Sequence, residues 1–261
     1  MQYKVSIKRK CYLLSVLLMT VWLTGCVQEE FESTPSPAGN GIRFTLTVPD
    51  VNLPSVSSRT MTGTGTAKKE DEIETVDILV FDMSKTPAVF LEWVSATGVT
   101  QDLADNSTVS FSAVLSPTTA STCIVVVANK ELDNIVSGFT KGATTKVEAM
   151  EKMLHTQTGK WLADGSTTGG YTRIPMYGEK VISKITPSMN PITEINMKRM
   201  LARIDIRNNS ATSNFTVEEV YLANHNTTGY IAPAWNTNGQ VTDPVPDTPV
   251  LPAGSGKMTE E

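Results

Sequence analysis

Four short segments, VDILVFD (76–82), FLEWVSA (90–96), STVSFSAV (107–114) and CIVVVAN (123–129), constrain the fold more than any other feature of the chain. VDILVFD is apolar on both faces and CIVVVAN is apolar without a break, as strands covered on two sides are. Strand after strand at spacings near a dozen residues argues a mainly β chain built as a β-sandwich. Upstream, Ile42, Phe44, Leu46 and Val48 alternate with Arg43, Thr45 and Thr47, the period of a strand with one buried face, and Pro49 and Pro54 end it. The polar stretch from Asn52 to Glu72 has Gly and Pro breakers and no apolar period, so an exposed loop is expected there.

One helix interrupts the strands. Thr145 and Glu148 have the spacing of a capping box, and Val147, Met150 and Leu154 then share a face of a helix running to about His155. After the Gly-rich turn DGSTTGG comes the strand YTRIPMYGE, followed by EINMKRMLARIDIRN and NFTVEEVYLANH. In the last of these Phe215 and Val217 keep one register and Val220 and Leu222 the other, which predicts a bulge at Glu218–Glu219. A boundary between two β-domains is expected near residue 195. The tail DPVPDTPVLPAGSGKMTEE carries too much Pro and Gly to close a sheet.

The N-terminus speaks to location. Lys4, Lys8, Arg9 and Lys10 precede a run from Tyr12 to Leu23 broken only by Ser15 and Thr20. A spanning helix needs about 20 apolar residues, so this shorter core reads as a secretory signal. Leu23-Thr24-Gly25-Cys26 resembles the lipobox of bacterial lipoproteins, which implies cleavage before Cys26 and acylation of its thiol. Each buried acyl CH₂ contributes ~0.8 kcal/mol, and more than one chain makes such an anchor durable. Residues 1–25 are thus read as signal peptide and residues 26–41, acidic and rich in Ser and Pro, as a flexible tether. Glu29 and Glu30 resemble the acidic tag of surface-exposed lipoproteins of the Bacteroides group.

Charge and composition exclude several functions. Processing lowers the 22 basic side chains to 18 against 27 acidic ones, a net charge of −9 in place of −5, which argues against a nucleic-acid partner. Cys11 leaves with the signal and Cys26 is acylated, so Cys123 stands alone and no intramolecular disulfide is available. Inside its apolar run Cys123 is a small core residue rather than a nucleophile. His155 and His225 with one buried thiol cannot assemble a metal site, and no H-E-x-x-H or C-x-x-C spacing occurs. Gly63-Thr64-Gly65 follows no strand and lacks a lysine at P-loop spacing, and the acids Glu70, Asp71, Glu72 and Glu74 lack the Gly-turned order of a calcium loop. No nucleophile–base set emerges, so neither an enzyme nor a cofactor is expected.

The order of these segments is similar to the fimbrillins, the type V pilus subunits of the Bacteroides group. The lipobox, one strand, a loop with an arginine, VDILVFD, CIVVVANK, IPMYGE, KRMLARIDIRNNS, FTVEEVYLAN and GYIAP together carry the resemblance over most of residues 42–233. It implies two transthyretin-like β-sandwich domains, residues 42–195 and 196–261, with the helix in the first. It also implies export as an outer-membrane lipoprotein acylated at Cys26, with palmitate as one such chain. Maturation by an arginine-specific protease between Arg59 and Thr60, display on the cell surface or pilus, and adhesion follow from it too. Assembly with other pilus subunits is then by exchange of the strand bearing Ile42, Phe44, Leu46 and Val48. The chain departs from the family at its C-terminus, where a Pro-rich tail stands in place of a donated strand; a fragment and a subunit with an unusual place in the fibre both fit. The competing reading is a surface lipoprotein whose β-sandwich binds glycan through exposed Trp93, Trp161 and Trp235.

Overall fold

The computed structural model describes residues 42–47, 72–101, 108–157, 173–201, 217–242 and 250–260. Alternation governs the first element: in β1 (Ile42–Thr47) Ile42, Phe44 and Leu46 are buried, while Arg43 and Thr45 are half-buried and Thr47 is exposed. The same rule shapes β5 (Thr108–Ala113), which buries Val109, Phe111 and Ala113. The unbroken apolar runs behave differently. In β2 (Val76–Asp82) six consecutive residues are buried, and in β6 (Thr122–Ala128) all seven are.

The topology explains that contrast. Counting β3 (Val89–Ser95), β4 (Thr97–Gln101), β7 (Leu154–Thr156), β8 (Met176–Ile182), β9 (Ile192–Asn196) and β10 (Lys198–Arg199), one sheet has the order β4-β5-β1-β9 and a second the order β10-β8-β6-β2-β3. Between the sheets lies a core to which β1, β5 and β9 contribute from one side, and Ile78, Val80, Ile124, Val126 and Met176 from the other. The opposite face of the second sheet carries its own apolar layer. Leu79, Phe81, Cys123, Val125, Val127 and Tyr177 pack there on Leu132 and Val136 around α1 (Asp133–Val136), on Ala149 and Met150 of α2 (Lys146–Lys152), and on Ile231 and Ala232. A sheet covered on both faces needs apolar residues at every position, so the alternation is lost.

The chain changes sheets at residue 197. β9 runs parallel to β1, Met197 is fully buried at the corner, and β10 then pairs with β8. Two ribbons complete the described structure: β12 (Thr228–Tyr230) with β7, and β11 (Leu222–Asn226) with β13 (Lys257–Glu260).

Several expectations are corrected. The capping box forms as expected, with Thr145 Oγ1 accepting from Glu148 N and Glu148 Oε2 from Thr145 N, but the helix stops at Lys152. Leu154 and His155 lie in β7 because β12 takes up their backbone, with Ile231 N donating to Met153 O at 3.0 Å. His225 lies in β11. Residues 217–221 are outside the strands, so no bulge forms at Glu218–Glu219, and Val217, Val220, Tyr221 and Leu222 are exposed. The Pro-rich tail does reach a strand, since its last residues, free of Pro, pair with β11.

Candidate assembly site

β1 is the centre of the site because of where it sits. Six successive residue pairs join it antiparallel to β5, from Ile42 opposite Ala113 to Thr47 opposite Thr108. On its other side it runs parallel to β9, with Phe44 level with Ile192 and Leu46 level with Ile195, and the register shifts between them. The shift falls at Glu194, whose φ of +60° is the left-handed turn of a bulged strand. An interior strand has its N–H and C=O groups engaged on both edges, so removing it opens two ladders at once.

The side chains of β1 fill the inter-sheet core. Phe44 is stacked on Phe111, with ring centroids 5.0 Å apart and planes 7° from parallel. Ile42, Phe44 and Leu46 are between 0% and 4% exposed. At ~1.5–3 kcal/mol per buried side chain, the three contribute roughly 5–9 kcal/mol, an upper estimate comparable to a domain's whole stability.

The segment from Glu72 that leads into β2 is fastened independently of β1. Asn129, at φ +58° just past β6, donates from Nδ2 to Glu72 O at 2.8 Å and to Ile174 O at 3.0 Å, and its Oδ1 accepts from Glu74 N at 3.0 Å. Asparagine tolerates this backbone conformation better than most residues. Arg173 adds ion pairs to Glu72 at 3.1 Å and Glu74 at 2.8 Å, and Gln101 Oε1 accepts from Ile73 N at 3.1 Å. The segment leading into β2 therefore keeps its place through contacts that β1 does not make.

On the far face of the second sheet lies a polar cluster within the apolar layer. Lys146 Nζ stands 2.7 Å from Glu179 Oε2, and Tyr177 Oη donates to the same oxygen at 2.5 Å. Burial pushes the Tyr177 phenol well above its usual range and the Cys123 thiol up to about 11. Such a thiol is a core residue and not a nucleophile. Burial also raises the Asp77 carboxyl, against the opposing pull of hydrogen bonds from Ser95 Oγ at 2.7 Å and Trp93 Nε1 at 3.1 Å.

Of the residues singled out in the sequence, the structure brings Ile42, Phe44 and Leu46 together on one buried face. Val48, Cys26, Arg59, Thr60 and Trp161 lie outside the described residues. Trp93 is half-buried and tied to Asp77, and Trp235 meets Tyr230 edge-on at 4.9 Å, both packed against the second apolar layer rather than displayed as open platforms. Phe111 and Asn129 carry the site without having been singled out. The alternation of STVSFSAV already places Phe111 inward, whereas nothing local marks Asn129.

These observations define a mainly β protein of two packed sheets whose shared core is closed by an N-terminal strand set inside a sheet. The chain belongs to the family of Fimbrillin-A associated anchor proteins Mfa1 and Mfa2, whose profile matches residues 32–260. Membership makes it a fimbrial protein, of the kind found at the cell surface with other pilus subunits. Among solved structures it is similar to a fimbrial assembly protein from Parabacteroides distasonis, at 10% identity and a TM-score of 0.40, over 81% of this chain and 72% of that one. It is also similar to a protein of Parabacteroides distasonis named for cell adhesion, at 17% identity and a TM-score of 0.42, over 74% of this chain and 57% of that one. No curated protein matches the sequence.

Proposed function

We propose that the chain is a structural pilus subunit exported to the outer membrane as a lipoprotein acylated at Cys26. An arginine-specific protease cuts it between Arg59 and Thr60, and it assembles by accepting a strand from another subunit. The observation that carries this reading is the placement of β1: a buried interior strand whose covalent connection to the rest of the sandwich runs through the segment after Thr47 that contains Arg59. Before the cut, β1 occupies its place at high effective concentration. After it, β1 can leave, and an apolar groove flanked by the open edges of β5 and β9 is a template for β-augmentation. Fastening of Glu72 and Glu74 by Asn129 and Arg173 keeps the segment leading into β2 in place once the connection is severed. The test is to treat purified precursor with an arginine-specific protease, alone and mixed with a second pilus subunit. Higher-order species on a native gel only after cleavage, and none from Arg59→Ala, are expected; assembly of uncut Arg59→Ala to the same extent refutes the switch.

A second reading is favoured by the family's description as anchor proteins. Cys26 and β1 lie on the same side of Arg59, so a cut there separates the acylated residue from the body of the protein. Left uncut, the chain keeps both and serves as the membrane-fixed end of the fibre. N-terminal analysis of the protein from cells decides between them: a chain beginning at acylated Cys26 supports the anchor, and one beginning at Thr60 supports the matured subunit.

A further inference from the structure

We infer that the groove left by β1 selects its incoming strand by an aromatic side chain at the central inward position, and that Phe111 is the residue that makes this selection. The inference rests on the strand-exchange reading above and specifies the partner: an extended segment of another pilus subunit with the inward pattern aliphatic, aromatic, aliphatic.

Three inward positions of β1 meet three different surroundings. Ile42 lies opposite Ala113, and Leu46 lies between Val109 on β5 and Ile195 on β9, so both ends face aliphatic walls. Phe44, at the centre, lies between Phe111 on one side and Ile192 on the other. Phe44 and Phe111 are the two aromatic residues of the inter-sheet core among the described residues, and their rings lie nearly parallel at 5.0 Å. When Phe44 leaves, Phe111, now 2% exposed, presents one flat face to the open groove. A planar ring refills that slot at native density. A branched aliphatic chain leaves part of it void and forfeits the ring-on-ring contact. Because the aromatic position is central, with aliphatic walls before and after it, the requirement holds whichever way the incoming strand runs.

The experiment uses the chain from Val27 onward with a specific protease site placed at residues 57–62, cut and then freed of residues 27–59 in mild denaturant. The probes are synthetic peptides copying residues 40–50, NGIRFTLTVPD, with Phe at the fifth position or with Leu or Val in its place. The expected result is binding of the Phe peptide about tenfold tighter than the Leu peptide, ~1.4 kcal/mol, with Val weaker still. In Phe111→Leu that preference falls to less than twofold while peptide binding persists. Equal binding of Phe and Leu peptides to the wild-type groove overturns the inference and leaves strand exchange standing. An undiminished preference in Phe111→Leu overturns the role of Phe111. Failure of every peptide, the exact copy of β1 included, counts against strand exchange itself. The wild-type comparison decides the matter even where Phe111→Leu does not fold.

Discussion

Lys146 Nζ lies 2.7 Å from Glu179 Oε2 with the lysine side chain 1% exposed, so the first turn of α2 carries a buried ion pair, and the stem of the lysine packs against Gly239. That turn already carries the positive end of the helix dipole, so the lysine depends on Glu179 for its charge balance. Removing one partner of a buried pair costs more than the pair contributes, because the other charge stays behind without compensation. Glu179→Ala is therefore expected to lower stability by about 3 kcal/mol in urea unfolding. Lys146→Met combined with Glu179→Gln should recover most of the loss, and a double variant as unstable as Glu179→Ala would show that charge is not the cause.

Gly178, in the middle of β8, is fixed by the chain that passes over it at the change of sheets. A Cβ built there would lie 2.6 Å from Met197 Sδ, 2.9 Å from Ile195 Cγ2 and 3.1 Å from Asn196 O. The methionine can swing away, but Ile195 and Asn196 end β9, held level with Leu46 and Thr47 of β1, and cannot without moving the sheet. Gly178→Ala should destabilise by about 1–3 kcal/mol, the usual cost of overpacking. Gly138→Ala, where the nearest atom would be Ile135 O at 3.6 Å, should stay within about 0.5 kcal/mol of wild type. Equal melting temperatures for the two variants would remove the crowding argument.

The Asp77 carboxyl is raised by burial, and this sets the sign of a pH dependence. A carboxyl whose folded value exceeds its unfolded one stabilises the fold fully below the unfolded value, near 4. That contribution is lost as pH rises through the folded value. Asn at this position still accepts from Ser95 Oγ and Trp93 Nε1 through its carbonyl oxygen and carries no charge at any pH. Asp77→Asn should thus match wild type near pH 3.5 and exceed it at pH 7, as read from urea midpoints. A variant less stable than wild type at pH 7 contradicts this account.

Much of the sandwich is legible in the sequence because each strand's burial pattern is set by how many of its faces are covered. IRFTLT alternates because one face of its sheet meets the core, and TCIVVVA does not because its sheet is covered twice. What the sequence does not disclose is pairing between distant segments. Leu154 and His155 continue a helical period and become a strand only because Tyr230 and Gly229 lie opposite them. Val220 and Leu222 look like core positions, yet they are exposed beside a ribbon whose described partner is β13 alone. The central place of β1 is likewise hidden, since a parallel neighbour far downstream, Ile192 level with Phe44, leaves no local mark.

His155 ties the β7–β12 ribbon to acidity. It lies opposite Gly229, half-buried, and burial holds its imidazole below the ordinary value of 6.5 against the smaller opposing effect of its hydrogen bond with Gln157. A base whose folded value is depressed stabilises the fold above its unfolded value, and that contribution is lost as pH falls through the folded one. Among the described residues the ribbon has three residue pairs, with a backbone hydrogen bond beyond each end and Thr156 Oγ1 and Thr228 Oγ1 3.0 Å apart, so it is short and has little reserve. Acidification from pH 7.5 to 5 should open it before the sheets unfold. Amide exchange at residues 154–156 and 228–230, corrected for its intrinsic pH dependence, should lose protection over that interval while β2 and β6 keep theirs. His155→Gln should abolish the difference. Protection that falls equally in the variant would assign the effect to another group.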